Sequence, residues 1–294
     1  MSIKKGIYAA AMTVINKDLS VNIDETIKHS EELIKQGCHG SVIGGSTGMM
    51  QYISSNEKRK LIDKMSISKF KDNFVFGTGT NSLNENIHLM KHCVDSGIKR
   101  FLIMPPAYYK YSDDGVYAFY EKIVQQVPES KIILYNFEKL SSFLFSVEFI
   151  KRLVKDFPKN IIGVKDSSYN LFETLKIPNF LIFPGSEAKL LKGLELGCSG
   201  CISAVTNVTH SLARKVFDDF KKKLTQTKNE KLISVRETFD KHHLISALHS
   251  FLSVENNKYK NILPPLILLS NEKQKELLSE LGSLGFIPSK DIAA

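Results

Sequence analysis

The sequence predicts a TIM (β/α)8 barrel of the α/β class, followed by a C-terminal helical extension. Eight short apolar segments alternate with amphipathic segments along most of the chain. Such alternation indicates a parallel sheet covered by helices, either an open doubly wound sheet or a closed barrel. Eight repeats suit the barrel, whose usual length is ~250 residues. We therefore predict a barrel domain over residues 1–208 and a helical region over residues 209–294.

The eight predicted strands are rich in β-branched, aromatic and small apolar residues, as is typical of strands buried on both faces. They cover residues 7–14, 40–44, 74–79, 100–104, 131–135, 161–165, 180–184 and 200–204. The first predicted strand is a short apolar run that follows Lys4-Lys5, a pattern that also occurs in signal peptides. We interpret it as a strand because the repeat of eight strand and helix units requires it. We expect a cytoplasmic protein, and no apolar run approaches the ~20 residues of a membrane span.

The predicted helices carry apolar stripes at helical spacing. In residues 24–36 the stripe consists of Ile27, Leu33 and Ile34, and Gly37 provides a C-terminal stop. Further helices are expected from residue 55, from a Ser82 or Asn84 cap to Cys93, over 147–154 and over 187–196. Beyond the barrel we expect helices over 209–224, 229–254 and 271–281, the last two separated by Pro264-Pro265.

Charge and cysteine content narrow the classes of function. The net charge of +9 comes from lysines spread among many acidic residues. The densest basic run, residues 221–223, is typical of a solvated helix face, so we expect no nucleic-acid partner. Four cysteines are too few for a disulfide scaffold. Cys198 and Cys201 have C-x-x-C spacing but no second pair, and we predict structural thiols.

The histidines do not form a recognisable metal motif. His88 and His92 lie one turn apart on a helix expected outside the barrel, and no H-E-x-x-H motif occurs. His242, His243 and His249 fall in the helical tail, where we expect exposed histidines. We therefore predict no metal and no cofactor.

One lysine, Lys165, ends a predicted strand, and in a barrel the catalytic groups gather at the carboxyl ends of the strands. Lysine at such a position could begin a solvated loop. Alternatively, burial of a lysine lowers its pKa from ~10.4 and provides a nucleophilic amine that can form a Schiff base. The other strand ends carry mainly hydroxyls and glycines, in residues 45–48, 108–109, 135–136, 185–187 and 202–203.

The segment Gly44-Gly45-Ser46-Thr47-Gly48 has two interpretations. It fits G-x-S-x-G, the nucleophile elbow of serine hydrolases, but an elbow requires a helix directly after the serine, and here the next helix is expected only near Ser55. Alternatively, its glycines let backbone N–H groups converge, and the Ser46 and Thr47 hydroxyls add donors for a small carboxylate. Tyr135, at another strand end, could serve as an acid or base beside a Schiff-base lysine.

Three motifs together resemble the dihydrodipicolinate synthase and N-acetylneuraminate lyase family of class I, pyruvate-dependent aldolases. Gly45-Ser46-Thr47-Gly48 matches the G-[ST]-T-G loop of that family, Tyr135-Asn136 its Y-N pair, and Gly163-Val164-Lys165-Asp166 its G-x-K segment. The resemblance spans about residues 7–208. It implies that Lys165 forms a Schiff base with pyruvate or with the 2-oxo end of a longer acid.

The resemblance also implies roles for other residues. Ser46 and Thr47 would hold the carboxylate, and Tyr135 would move the proton. Tyr108 aligns with a relay tyrosine supplied by a neighbouring subunit, with Tyr109 as its substitute, and a homotetramer is expected. The predicted catalytic residues are thus Lys165, Tyr135, Thr47 and Tyr108. The predicted substrate-binding residues are Ser46, Thr47, Gly185, Glu187, Ser167, Ile202 and Leu140.

Departures from the family pattern bear on the substrate. Dihydrodipicolinate synthases carry an arginine where this chain has Leu140, and an aliphatic side chain cannot replace a guanidinium as a carboxylate ligand. The sialic acid lyases use an acidic pair and a serine, where this chain has Glu187, Ala188 and Ala204. Met49 also replaces the glutamate of many relatives.

We therefore predict a lyase that splits a 2-keto-3-deoxy sugar acid into pyruvate and an aldehyde. The alternatives are a 4-hydroxy-tetrahydrodipicolinate (dihydrodipicolinate) synthase that condenses pyruvate with aspartate semialdehyde, or an N-acetylneuraminate lyase. A serine hydrolase and a non-catalytic pyruvate-binding barrel are more distant alternatives.

Overall fold

A computed structural model describes residues 3–287 and contains a sheet of eight parallel strands. The strands are β1 Gly6–Ala10, β2 Gly40–Ile43, β3 Phe74–Gly77, β4 Arg100–Ile103, β5 Lys131–Asn136, β6 Ile161–Asp166, β7 Leu181–Pro184 and β8 Gly200–Ser203. All eight predicted strands are present. The first is shorter than predicted because the N–H groups of Met12 and Val14 donate to the side chains of Asn207 and Thr26 instead of extending the sheet.

The strands follow one another around a nearly closed barrel. β8 neighbours β1, and β2 to β7 then follow in sequence. Ser199 links the two ends of the sheet, since its N–H donates to the Ile182 carbonyl at 2.8 Å and its Oγ accepts from the Ile182 N–H at 3.3 Å. The closure brings all eight carboxyl ends to one mouth, where the residues that follow the strands converge.

Eleven helices lie within the described residues. They are α1 Ile23–Lys35, α2 Ser55–Ser66, α3 Leu83–Asp95, α4 Asp113–Gln126, α5 Glu138–Ser141, α6 Val147–Asp156, α7 Leu190–Glu195, α8 Thr206–Lys221, α9 Asn229–Asp240, α10 Leu244–Leu252 and α11 Asn271–Ser283. The cap of α3 is Ser82, whose Oγ accepts from the Glu85 N–H at 3.2 Å. The domain boundary predicted at residue 208 falls inside α8.

Two of the expected helices were wrong in extent, and two helices of the structure, α4 and the short α5, were not predicted. The single helix expected over 229–254 is two helices, because the polar residues 241–243 interrupt it before α10. The helix expected from residue 187 begins with a 3-10 turn, Glu187–Lys189, and becomes α-helical at Leu190. Helix α4 was not predicted, although Ser112 caps it by accepting a hydrogen bond from the Gly115 N–H at 3.3 Å.

The barrel interior is packed beneath the mouth. Ile133 and Gly163 are register partners two residues before the ends of their predicted strands, so they form the layer below Tyr135 and Lys165. A Cβ at Gly163 would lie 2.6 Å from the Leu181 carbonyl oxygen, so only glycine permits this pairing of β6 with β7. Because the interior below Tyr135 and Lys165 is filled, the open side of these two residues is the mouth at the carboxyl ends of the strands.

The helical tail shares a core with the barrel. Met12 and Val14 pack with Phe239, Phe251 and Leu277 in one buried cluster. None of the helices within residues 3–287 is long and apolar enough to cross a membrane. All four cysteines are buried and unpaired, and burial raises the pKa of Cys198 to about 11, as expected for structural thiols.

A buried histidine determines part of the response of the fold to acid. His29 of α1 lies between Asn207 Oδ1 and the Tyr259 hydroxyl, each 2.8 Å from one ring nitrogen. The neutral ring satisfies both contacts, since Nε2–H donates and Nδ1 accepts. Burial lowers the pKa of His29 from 6.5 to about 4. The unfolded chain therefore takes up this proton at a higher pH than the folded protein, and stability falls as the pH drops from ~6.5 towards 4.

We expect His29 to remove about 1 kcal/mol of unfolding free energy between roughly pH 7 and pH 5.5. Urea unfolding at both pH values measures the effect, and His29→Gln should show a weaker pH dependence than the wild type. His88→Gln, at an exposed position on α3, is the matched control and should keep the wild-type dependence. Equal pH dependences for His29→Gln and the wild type would refute this assignment.

Candidate active site

Lys165 and Tyr135 are paired across adjacent strands at the mouth of the barrel. They are register partners on β6 and β5, so their side chains leave the sheet on the same face. Lys165 is only 3% exposed, and its Nζ lies 4.1 Å from the centre of the Tyr135 ring. The alternative in which Lys165 begins a solvated loop is therefore wrong, because the amine is withdrawn from water and packed on a phenol.

The Gly-Ser-Thr-Gly segment forms a 3-10 turn, Ser46–Gly48, shortly after β2. Ser46 Oγ lies 3.1 Å from the Tyr135 hydroxyl oxygen, and either group can donate the hydrogen bond. Thr47 is buried beside it. Because the first N–H groups of a helical turn have no acceptor inside the turn, this segment offers backbone donors as well as two hydroxyls to a carboxylate.

These groups line one cavity of about 610 Å³, within the usual range for small-molecule sites. The barrel contributes Ser46, Thr47, Tyr135, Lys165, Ser167 and Gly185, and the short helix α5 after β5 contributes Leu140. The C-terminal region contributes Arg236, His242, His243, Leu244, Ile245 and Leu266. A neighbouring cavity of about 200 Å³ shares Ser46, Gln51, Tyr135 and Leu140 with it. The structure thus brings together seven of the predicted site residues.

Asn136 and Asp166, which directly follow Tyr135 and Lys165 in the sequence, support the reactive pair. The fully buried Asp166 carboxylate accepts from Asn136 Nδ2 at 2.8 Å and from three backbone N–H groups within residues 169–172 at 2.9 Å each. These bonds fix the loops that follow β5 and β6. They therefore also fix the positions of Tyr135 and Lys165, the residues just before Asn136 and Asp166. Such support keeps the reacting groups of a site preorganised.

Ser167 and Gly185 lie beside Lys165 in the cavity wall. A Cβ at residue 185 would lie 2.1 Å from Ser167 Oγ, so the absence of a side chain at Gly185 makes room for the Ser167 hydroxyl. The Ser167 N–H donates to the Asn136 carbonyl at 2.8 Å, which fixes the backbone at this point. Both residues occupy positions from which they can contact a bound molecule.

Glu187 and Ile202, predicted as substrate-binding residues, are not among the residues that line either cavity. Glu187 is fully buried, and its carboxylate accepts from Ser203 Oγ at 2.6 Å, Thr206 Oγ1 at 2.6 Å and Arg236 at 3.1 Å. Ile202 is fully buried in the packed barrel interior. The Glu187 carboxylate therefore stabilises the fold through these hydrogen bonds, and Ile202 lies in the barrel interior below the mouth.

Loss of Arg236 should destabilise the fold more than loss of a surface arginine. Burial disfavours the charge of Arg236, but the carboxylates of Glu187 and Asp240 outweigh burial and raise the pKa of the guanidinium. Arg236→Ala leaves the Glu187 charge buried without its partner, so we expect a loss of about 3–5 kcal/mol of unfolding free energy. Arg152→Ala, which removes an exposed ion pair with Asp114, should have a much smaller effect, because solvent screens exposed charges.

Denaturant unfolding of the two variants and the wild type measures this difference. Equal stability losses for Arg236→Ala and Arg152→Ala would contradict the structural role of the buried pair. Each variant removes one arginine, but Arg236 is paired with two carboxylates, Glu187 and Asp240, whereas Arg152 is paired with Asp114 at the surface.

Tyr108 lies outside the cavity of its own chain. Tyr108 and Tyr109 are 85% and 66% exposed, and their rings stack edge to face with centroids 5.0 Å apart. Tyr108 has a φ of 91°, in a region that non-glycine residues rarely adopt. Such backbone strain is frequent at functional sites. The expected relay role of Tyr108 in a neighbouring subunit stays a prediction.

Several residues that line the cavity were not predicted from the sequence. Tyr52 and Tyr169 follow barrel elements, whereas Arg236, His242 and His243 come from the helical tail. The position of the tail depends on long-range packing, which local sequence patterns do not encode. The only local signal is the polar run around residues 240–243, which interrupts an otherwise helical pattern.

An amine kept out of water and held against a phenol can carry a Schiff base and move a proton beside it. Class I aldolases use this chemistry to make and break carbon–carbon bonds, and this barrel belongs to that class of lyase. The comparison with protein families agrees, since residues 4–283 match the model described as the dihydrodipicolinate synthetase family. The chain is a member of this family.

Relatives within the family have different activities. The chain is 30% identical to the N-acetylneuraminate lyase of Clostridium perfringens over 222 residues. This alignment covers 73% of this chain and 75% of that protein. It is 28% identical to a 2-dehydro-3-deoxy-D-gluconate/2-dehydro-3-deoxy-phosphogluconate aldolase of Picrophilus torridus, over 76% of this chain and 85% of that protein. The dihydrodipicolinate synthase structure from Agrobacterium tumefaciens superposes with a TM-score of 0.87 at 24% identity, over 96% and 99% of the two chains.

Proposed function

We propose that the chain cleaves a 2-keto-3-deoxy sugar acid into pyruvate and an aldehyde through a Schiff base on Lys165. The observation that carries the proposal is the position of Lys165 Nζ, buried and 4.1 Å from the centre of the Tyr135 ring. A solved member of the family, a prophage protein from E. coli K12, was crystallised in complex with pyruvate. At 21% identity that structure supports the fold, and pyruvate as the ligand of this chain is our inference.

In the proposed mechanism, Lys165 Nζ attacks the C2 carbonyl carbon, and loss of water gives an iminium. The Tyr135 hydroxyl supplies the proton that leaves with this water, and the resulting phenolate accepts the proton of the C4 hydroxyl. The C3–C4 bond then breaks, and its electron pair moves towards the iminium to form an enamine. The aldehyde leaves, C3 is protonated, and water hydrolyses the iminium to release pyruvate and free Lys165. Ser46 and Thr47 hold the carboxylate of the keto acid throughout.

The hydrogen bond between Ser46 and Tyr135 gives the phenol a partner for proton exchange. We infer that Tyr108 of a neighbouring chain continues this relay in a cytoplasmic homotetramer. The high exposure of the Tyr108 and Tyr109 rings supports a contact with a second chain, since large apolar groups are costly to leave in water.

The cavity favours a sugar acid over the substrates of the two alternative activities. Leu140 lines the cavity at the position where a synthase would bind the semialdehyde carboxylate with arginine, and leucine offers no hydrogen bond. For sialic acid, Ala188 and Ala204 lack the polar groups of the lyases, and the Glu187 carboxylate is already engaged by four side chains. A sugar acid with a shorter tail and fewer hydroxyls needs fewer polar side chains to bind it.

The test is a pyruvate-release assay with a panel of 2-keto-3-deoxy acids and sialic acid, together with condensation of pyruvate and aspartate semialdehyde. We expect turnover of one or more 2-keto-3-deoxy sugar acids above that of sialic acid. Efficient turnover with the semialdehyde alone would contradict the proposal in favour of the synthase. Binding of pyruvate with no turnover of any acid would favour a non-catalytic barrel.

The serine-hydrolase alternative finds little support in the site. Ser46 Oγ contacts a tyrosine rather than a histidine, and the next α-helix begins only at Ser55, after two 3-10 turns. A fluorophosphonate should therefore leave Ser46 unlabelled.

A further inference from the structure

A separate cavity of about 840 Å³ lies at the amino ends of the strands, on the face of the barrel opposite the mouth. Its lining residues stand at or shortly before the starts of β1, β5, β6, β7 and β8. We call it the basal cavity, and Lys5, Lys131, Leu181 and Gly197 are among its residues. Its volume is that of a small-molecule site. Among the residues that the structure describes, none lines both this cavity and the catalytic one, so the chemistry at Lys165 does not explain it.

The inner wall of the basal cavity is apolar and incompletely covered. Four of its apolar side chains are only partly buried: Ile162, Ile177, Phe180 and Leu181. Ile162 is an extra residue in β6, because Ile132 pairs with Ile161 whereas Ile133 pairs with Gly163. Such bulges re-aim side chains at the rims of barrels. The apolar surface left in contact with water favours a ligand with an apolar body.

Three lysines line the same cavity: Lys5, Lys131 and Lys159. Lys131 is on the face of β5 that also carries Ile133 and Tyr135, two residues of the barrel interior, so its side chain lies on the inner side of the sheet. Lys131 Nζ donates to the Lys159 carbonyl at 2.6 Å, which leaves two of its three N–H donors for a ligand.

Within the described part of the chain, no carboxylate pairs with these three lysines. The lining residues found between positions 3 and 287 include neither aspartate nor glutamate. The closest acidic residues in the sequence, Glu129 and Asp156, bond instead to Lys99 and Tyr117. A cleft with charges of one sign only concentrates the field that attracts a ligand of the opposite sign.

We propose that the basal cavity is a second binding site, and that its ligand is an amphiphilic organic anion, a carboxylate on an apolar chain. The chain would cover the partly buried wall around Ile162 and Leu181. The carboxylate would accept charged hydrogen bonds from Lys131, and the other two lysines add positive charge. A purely polar anion would leave the apolar wall in water. The inference does not depend on the proposed function, because it uses no residue of the catalytic cavity.

The experiment measures binding of butanoate, hexanoate, octanoate and octanamide to the wild-type protein by isothermal titration calorimetry. The Kd of the carboxylates should fall about two- to fourfold with each added methylene, because each buried methylene contributes favourable free energy. Octanamide has the same chain as octanoate but no charge. We expect its Kd to be about 10-fold higher than that of octanoate or more, since it cannot form a charged hydrogen bond with the lysines.

A pair of double variants assigns the binding to this cavity. Lys5→Gln combined with Lys159→Gln removes two exposed charges that line it, and should raise the Kd of octanoate by about 10-fold while leaving that of octanamide nearly unchanged. The matched control is Lys273→Gln combined with Lys275→Gln, which removes two exposed lysines of α11 and should leave both constants unchanged. Thermal unfolding of each variant verifies that it is folded.

Pyruvate in excess should not displace octanoate, because the two ligands would occupy opposite ends of the barrel. Displacement by pyruvate would place octanoate at the catalytic mouth and overturn the proposal. The absence of saturable octanoate binding, equal Kd values for octanoate and octanamide, or an unchanged Kd in the folded Lys5→Gln, Lys159→Gln variant would also overturn it. The chain-length series and the octanamide comparison use the wild type alone, so they test the proposal even if a variant does not fold.

Discussion

Lys165→Ala should lower the rate of pyruvate release by about 10⁴-fold or more, because it removes the only nucleophile in the proposed route. The fold should tolerate the change, since the substitution deletes a buried cation and opens space towards an existing cavity. Activity and urea unfolding, measured on the same preparation, separate a chemical loss from an unfolded protein. Residual turnover within about 10-fold of the wild type would contradict covalent catalysis at this position.

A second buried lysine provides a matched control. Lys58 of α2 is also 3% exposed, and burial lowers its pKa to about 8, so a sizeable fraction of its amine is neutral near neutral pH. Its Nζ donates to the Gly79 carbonyl at 3.0 Å, and it does not line the cavity that contains Tyr135. Lys58→Gln should therefore keep activity near the wild-type level. Inactivation by Lys58→Gln in a folded protein would show that the reactive amine had been assigned to the wrong lysine.

Tyr135→Phe should lower kcat by about 10²–10⁴-fold with little change in KM, the effect expected for loss of a general acid and base. The ring that packs against Lys165 is kept, so only the hydroxyl and its contact with Ser46 are lost. Steady-state kinetics over a range of substrate concentrations measures both constants. Tyr117→Phe, which removes the hydroxyl of a phenol bonded to Asp156 at the surface, is the control and should leave both constants unchanged.

A rise in KM without a fall in kcat for Tyr135→Phe would assign the phenol to binding rather than to proton transfer. Ser46→Ala provides an independent comparison. It removes the hydroxyl partner of Tyr135 but not the phenol, and should have a smaller effect on kcat than Tyr135→Phe.

The sequence was sufficient to predict the barrel and to predict that Lys165 and Tyr135 lie close together. Eight apolar runs predicted eight strands, and because parallel strands end at one mouth, Lys165 and Tyr135 could be placed together before their register was known. Asn136 and Asp166 were recognised as motif residues, but their shared hydrogen bond depends on the geometry of two loops. Local sequence does not contain that information.

Other parts of the site could not be predicted because they depend on how deep a residue lies in the barrel and on long-range packing. Ile202 and Glu187 lie near strand ends, as expected, yet one is in the packed layer below the mouth and the other is bound to side chains behind the wall. Arg236 and His242 reach the cavity only because the helical tail packs on the barrel through a shared core. Their sequence positions, far from any strand, gave no indication of that contact.

Incubation of the protein with pyruvate and borohydride, followed by peptide mass mapping, tests whether Lys165 forms the Schiff base. We expect inactivation, together with the added mass of reduced pyruvate on the peptide that contains Lys165. Lys165→Ala should gain no such mass, and Lys58→Gln should gain it as the wild type does. An unmodified Lys165 in an active protein, or the mass on Lys58 instead, would show that Lys165 is not the Schiff-base residue.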